Sequence, residues 1–267
     1  MAQDIDDRWV DVNLVEEARR CGRMLGMTQR TGTFGAPLFG ERIPVMSWNE
    51  IDAAIDAIDA AGGGLDRIKP FQHDQNGEPS CTSNATCASL EYAMAVALGV
   101  DNVVPLSPIS LYRRVGSRNS GSSVDDNLDE ATRVGILPLD CKQNRDRGIT
   151  GLHPHNGYGV APPSNWQSIA AEYRIDEVFD IRTSQEFFTS LCRGWPVVYG
   201  RQGHCIICVR PMRKGAVRSG KYLNSWGDWG DNGFGYDTAN QISMGAGWAF
   251  AVRSVVMSKT LRKLAGI

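Results

Sequence analysis

Apolar positions recur at helical spacing through the first half of the chain and in short strand-length runs through the second. Residues 6–27 place Trp9, Val12, Val15 and Met24 among Glu and Arg, which predicts a helix. The stretch TGTFGAPLFGERIP, residues 31–44, breaks the pattern with Gly and Pro and predicts a linker. Ser47 and Glu50 form a capping box ahead of Ile51, Ile55 and Ile58, and Gly62, Gly63 and Gly64 stop that helix. A further helix is predicted from Cys81 to about Leu98, ending at Gly99. Ser107-Pro108 opens another, followed by Leu111, Tyr112 and Val115. Residues 141–166, rich in Gly, Pro, Asn and His, predict loop. Strand candidates follow at 174–182, 196–200, 204–210, 220–226 and 247–256, interrupted by a helix at 184–193. Helices first and strands second predict an α+β fold with two facing lobes.

Composition narrows the function classes. A chain of 267 residues, 42% hydrophobic and 22% charged, can build one large domain or two small lobes with a real core. A formal charge of −2 gives no reason to expect nucleic acid as a partner. No apolar run approaches the roughly 20 residues of a membrane-spanning helix, so no membrane partner is expected. The acidic start MAQDIDDRW lacks an apolar export core. Seven cysteines without a framework spacing read as mostly reduced thiols. These points lead to an expectation of a cytoplasmic protein.

The segment DQNGEPSCTSNA, residues 74–85, carries the candidate chemistry. Cys81 follows Gln75 by six residues and stands at the start of a predicted helix, where free N–H groups favour a thiolate. Gln75 can donate its side-chain amide to a developing oxyanion, with the Cys81 N–H as second donor. His204, in GHCIIC, begins a predicted strand and can serve as base. Asn224, in NSWG, can orient the imidazole, and Trp226 can shield that hydrogen bond from water. Each residue alone has an ordinary reading: a buried thiol, a loop glutamine, a surface histidine, a turn asparagine. Order, spacing and context together favour the chemical one. Cys87 lies one turn and a half into the same apolar helix and reads as core. Cys205 and Cys208 fall on opposite faces of a strand, which disfavours a shared metal or disulfide. His153 and His155 lack further ligands nearby, so neither a metal nor a cofactor is expected.

The same residues resemble the papain family of cysteine peptidases. QNGEPSC is similar to that family's Gln-to-Cys segment, LSPISLY (106–112) to the segment after its central helix, GHCIICV to its histidine strand and NSWGDWGDNGFGY to its asparagine segment. The resemblance covers roughly residues 70–256. It implies a helical left lobe carrying Cys81 and an antiparallel, β-rich right lobe carrying His204 and Asn224. It also implies a domain at 46–267, with lobes at about 46–140 and 141–267, and an N-terminal helical arm and linker at 1–45.

The chain departs from the family at several positions. Thr82 replaces an aromatic residue, Glu78 replaces a half-cystine, and SGSSVDD (120–126) stands where the other half of that disulfide belongs. Gly121 is the nearest equivalent of the family's backbone grip on substrate. CTSNA is similar to divergent, often bacterial or phage-borne, members.

The implied activity is hydrolysis of peptide bonds in a protein or peptide substrate through a Cys81–His204–Asn224 triad and an acyl-enzyme thioester. Two alternatives stay open: another thiol acyl-transfer enzyme, or a non-catalytic subunit of an assembly such as a virion. The arm could inhibit, pack, or dock an assembly partner.

Overall fold

The alternation of side chains along the sheet decides how the halves of the molecule meet. The computed structural model describes residues 5–32, 34–68, 70–245 and 249–267. Its helices are α1 (Leu14–Arg20), α2 (Phe39–Arg42), α3 (Trp48–Ala60), α4 (Cys81–Leu98), α5 (Pro108–Val115), α6 (Val124–Arg133), α7 (Lys142–Asp146), α8 (Trp166–Ala170), α9 (Ser184–Cys192), α10 (Ala239–Gly245) and α11 (Lys259–Ala265). Its strands are β1 (Ile175–Ile181), β2 (Val197–Arg201), β3 (His204–Lys214), β4 (Val217–Leu223), β5 (Phe234–Thr238) and β6 (Ala249–Val255). They form one sheet in the order β1-β6-β2-β3-β4-β5, every neighbouring pair antiparallel.

Successive strand residues point to opposite faces. Val198, Cys205, Phe250 and Val252 join a core with α4 and α6, while Val197, Tyr199, Ile206, Cys208 and Ala251 join a second core with α3 and α9. Cys205 and Cys208 therefore lie in different cores, as their strand spacing predicts. The α+β expectation holds, with a helical lobe against an antiparallel sheet.

Helix α4 is the central strut. Every residue from Cys81 to Ala95 is buried, so the helix has no solvent face before its last turn, where Val96 is exposed. Several of its polar groups are paired internally: Ser83 Oγ donates to Asn127 at 2.6 Å and Glu91 accepts from Leu106 N at 2.8 Å. Gly99, at φ 85, ends it. The capping box at Ser47–Glu50 and the Pro108 start of α5 form as predicted.

Four expectations need correction. Residues 6–27 are not one helix: Asn13 caps α1, Gly22 at φ +63 follows its end, and the chain then runs extended. The linker at 31–44 contains α2, and Leu38 bridges Asp180. The predicted loop at 141–166 contains α7. The strand expected at 220–226 ends at Leu223, and β5 went unpredicted because its FGYDT follows a run of Gly and Asp that reads as turn.

The described residues between 5 and 45 are stitched onto the lobes. Asp11 accepts from Thr238 N and Oγ1, both at 2.8 Å, and Arg201 Nη2 donates to Val12 O at 2.6 Å. Trp9 packs edge-on to Trp229 at 5.1 Å. Leu14 and Phe39 are fully buried, each worth about 1.5–3 kcal/mol of apolar burial. Between these two anchors, residues 23–32 cross the face where the lobes meet. No described helix is long and apolar enough to cross a membrane.

Candidate active site

Cys81 is the first residue of α4, and α4 packs against β3, whose first residue is His204. The Cys81 sulfur lies against the backbone of Cys205, the residue after His204. Asn224 follows the last residue of β4, the neighbour of β3, so the hairpin register brings it beside His204. His204 Nε2 and Asn224 Oδ1 are 2.8 Å apart. Oδ1 also accepts from Ser225 N at 2.8 Å, so it is the acceptor and Nε2 carries the proton. The lone pair is thereby left on Nδ1, which is buried and has no hydrogen-bond partner. The Trp226 ring lies 4.8 Å from the imidazole at 31° and covers it.

Gln75 is fully buried and fixed on three sides. Its N–H donates to Ser225 O at 2.9 Å, its Oε1 accepts from Ser225 Oγ at 2.7 Å, and Nε2 donates to Glu78 O at 2.8 Å. The second Nε2 hydrogen goes to Met24 O at 2.8 Å. A carbonyl oxygen of the arm thus takes the remaining hydrogen of the Gln75 amide.

The arm continues through the whole cleft. Arg23 pairs with Asp74, Gly26 touches the Cys81 sulfur, Met27 N donates to Gly203 O at 3.0 Å, and Thr28 N donates to Ser122 O at 3.1 Å. Ser122 N donates to Gly26 O at 2.8 Å, and Met27 pairs with Ser122 as a parallel bridge. Two glycines allow this approach. A Cβ on Gly26 would stand 2.0 Å from Pro79 O, and one on Gly121, at φ +80, would stand 1.7 Å from Gly26 O. Beyond the cleft, Thr31 and Gly32 hydrogen-bond to Asp125, and Arg30 pairs with Asp180 at 3.0 Å.

Covered in this way, Cys81, His204 and Gln75 have no solvent exposure and Asn224 has 1%. Burial raises the Cys81 thiol; the backbones of Cys205 and Gly26 and the Thr82 side chain act in the opposite direction but do not win. Burial also lowers His204 to about 4, against its hydrogen bond to Asn224 Oδ1, which favours the charged ring. The covered site therefore holds a neutral thiol and a neutral imidazole whose Nδ1 has no hydrogen-bond partner. The thiolate expected from the helix N-terminus is absent here because desolvation outweighs the dipole.

The structure brings Gln75, Cys81, His204, Asn224 and Trp226 into one site. Gly121 lies beside it, although the backbone grip itself belongs to Ser122. Cys87 is in the core. The remaining histidines go elsewhere: His73 contacts Glu91 at 3.1 Å and His155 at 2.9 Å, and His153 contacts Ser107 at 3.1 Å. His153 and His155 thus have different partners and do not converge. Three contributors escaped the sequence reading. Ser225 and Ser122 act through groups any residue type carries or through one hydroxyl, and Asp74 read only as part of a turn. The neighbourhood of Gln75 was the available signal for Asp74.

No protein-family model and no curated protein sequence matches the chain. Solved structures do match. Xylellain, a cysteine protease from Xylella fastidiosa, is 18% identical with a TM-score of 0.57, covering 86% of this chain and all of its own. The digestive procathepsin L2 proteinase of Tenebrio molitor larval midgut is 14% identical with a TM-score of 0.62, covering 91% of this chain and 82% of its own. A procathepsin B from Trypanosoma congolense is 12% identical with a TM-score of 0.56, covering 90% and 88%. At these identities the likeness speaks for architecture, and the chain has the papain-like cysteine peptidase fold.

Proposed function

We infer that the protein is a cysteine peptidase whose cleft is closed by residues 23–28 of its own chain. The observation that carries this reading is the Gln75 amide. It is held rigid by Ser225 and Glu78, and its remaining hydrogen points at a carbonyl oxygen of a peptide lying across Cys81. A site that grips a peptide backbone at Ser122 and Gly203, and offers a donor to its carbonyl, is built for peptides.

With the arm displaced, water reaches the Cys81–His204 pair and the proton can pass from sulfur to Nδ1. The thiolate attacks a substrate carbonyl carbon. Gln75 Nε2–H and the Cys81 N–H, at the first turn of α4 where no helix carbonyl claims it, hold the oxyanion. His204 gives its proton to the leaving amine, then takes one from the water that releases the acyl group. Asn224 keeps the ring oriented, and Trp226 keeps that hydrogen bond dry. Two of the structural neighbours are named as procathepsins, which fits a closed state for this chain.

Gly26→Val tests the reading in the full chain, because any side chain there collides with the Pro79 backbone and lifts the arm. The expected result is peptide turnover that the wild-type chain lacks, together with at least tenfold faster alkylation of Cys81 by iodoacetamide. Cys81→Ala added to Gly26→Val abolishes turnover. A folded Gly26→Val chain that cleaves no peptide and labels its seven cysteines evenly favours a non-catalytic subunit. Faster turnover of isopeptides or simple amides than of peptides favours another acyl-transfer enzyme.

A further inference from the structure

Asp74 precedes Gln75 and takes no part in the triad, yet its carboxylate is positioned as carefully as the catalytic groups. Groups outside the arm hold it. Oδ1 accepts from Asn76 N at 2.8 Å, the backbone carbonyl accepts from Asn156 Nδ2 at 3.2 Å, and the residue pairs with Trp226 as an antiparallel bridge. Gly227, at φ +64, leaves room for it; a Cβ there would stand 3.0 Å from Asp74 Oδ2. In the closed chain this carboxylate receives a guanidinium. Arg23 Nη1 is 2.9 Å from Oδ1, Nη2 is 2.9 Å from Oδ2, and Nη1 also reaches Asn76 Oδ1 at 3.4 Å. The two forks face each other, the geometry in which arginine and carboxylate recognise each other most selectively. The Arg23 side chain is only 17% exposed, so the pair is partly shielded from water.

The order of arm contacts fixes where this pair sits. Arg23 is at Asp74, Met24 at Gln75, Gly26 at Cys81, and Met27 and Thr28 at Gly203 and Ser122. Asp74 is therefore on the far side of the oxyanion donor from the Ser122 edge. Under the peptidase reading, on which this inference rests, His204 gives its proton to the leaving amine, and Asp74 bridges Trp226, the residue whose ring covers His204. Asp74 then faces the half released with the leaving amine.

We propose that Asp74 and Asn76 form a subsite for an arginine side chain on the leaving-amine side of the scissile bond, occupied in the closed chain by Arg23. The substrate class is peptides with arginine just after the cleaved bond. Lysine is a weaker fit, because a compact ammonium cannot engage both carboxylate oxygens and the Asn76 amide in one plane.

The test uses full-length Gly26→Val and peptides that differ only at the residue after the cleaved bond. Arginine exceeds glutamine at least tenfold in kcat/KM, the difference lying in KM, and lysine falls between. The arginine-to-glutamine ratio drops toward one in Asp74→Asn. No arginine preference with Asp74 intact, or a preference that survives Asp74→Asn, overturns the proposal. A second readout needs no turnover. A synthetic peptide of residues 20–31 binds full-length Gly26→Val/Cys81→Ala, and its Arg23→Gln version binds at least tenfold more weakly. That penalty disappears when Asp74→Asn is added, and equal binding of the two peptides sinks the proposal. A chain that hydrolyses nothing but shows the binding penalty refutes the peptidase reading and keeps the subsite. Should Asp74→Asn fail to fold, an Arg23→Glu peptide on intact Asp74 gives the same information, binding more weakly than the Arg23→Gln peptide.

Discussion

At the scale of single residues, the site depends on how completely Gln75 is immobilised. Its side-chain amide can make four hydrogen bonds, and those to Ser225, Glu78 and Met24 are made in the closed chain. Only the Met24 bond belongs to the arm. Opening the arm thus frees one hydrogen and leaves the rest of the amide fixed, which is what a preorganised oxyanion donor requires. In the Gly26→Val background, Gln75→Ala should lower kcat by about 10²–10³-fold, on the scale of a lost oxyanion donor, with little change in KM. Ser225→Ala should cost less, roughly tenfold in kcat, because the amide can still find Glu78 O while losing the hydroxyl that fixes its oxygen. Steady-state kinetics on one peptide substrate separate the two. If Ser225→Ala leaves kcat of the Gly26→Val chain unchanged, the hydroxyl does not orient the amide. Gln75 was legible in the sequence by its offset from Cys81, whereas Ser225 was not, since a serine after asparagine in NSWG carries no chemical signature of its own.

At the scale of elements, the chain answers a question raised by Glu78. The family it resembles has a half-cystine there, and the described cysteines are all free. Glu78 Oε1 instead accepts from Gly157 N at 2.9 Å and Tyr158 N at 3.3 Å, and Tyr158 Oη donates to Gly116 O at 3.1 Å. Tyr112 extends the clasp, packing on Tyr158 at 5.4 Å and accepting from Gly121 N at 3.1 Å. A carboxylate and two tyrosines thus tie the turn before α4 to the 116–121 turn that leads to Ser122. In the Gly26→Val background, Tyr158→Phe should remove about 1 kcal/mol of stability and raise KM severalfold as the Ser122 edge loosens. Thermal unfolding and peptide kinetics check both, and an unchanged KM assigns the clasp to stability alone. Elements with local signals were legible: α3 from its capping box, α5 from Pro108, α4 from an uninterrupted run ending in glycine. The arm was not, because Trp9, Val12 and Met24 meet the sheet lobe and the cleft rather than one helix face, and a long-range docking surface can mimic helical periodicity. Strand β5 was lost for the opposite reason: its pairing with β4 supplies what its turn-like flanks conceal.

At the scale of the whole molecule, the closed and open forms differ in how they hold protons, and pH should move the balance. His204 is neutral when covered, lowered by burial to about 4 from an ordinary 6.5. A histidine lowered in this way contributes nothing against closure above pH about 6.5, and closure is lost as pH falls toward about 4, because only the open or unfolded chain takes up the proton. A shift of this size corresponds to the order of 3 kcal/mol across the window. Asp125, which accepts from Thr31 and Gly32 of the arm, acts in the same direction at lower pH. Burial opposes its ionisation, but the Gly32 and Thr31 donors and Ser123 hold it below its ordinary value, so its stabilisation goes as it protonates. Asp237 works the other way. Burial raises it to about 6 despite Arg201 and Tyr199, so its protonation between about 6 and 3.8 recovers stability. Asp237 lies under the Asp11 anchor rather than in the cleft, and its gain tightens the start of the arm without restoring cover over His204. The two effects can therefore be separated along the arm. Amide exchange at Met27 and Thr28, corrected for intrinsic pH dependence, should accelerate between pH 7 and 5, while Asp11 N, bonded to Tyr236 O at 2.8 Å, keeps its protection. Uniform loss along the arm would mean global unfolding, and unchanged protection at Met27 would mean that His204 is not what closure leaves uncharged.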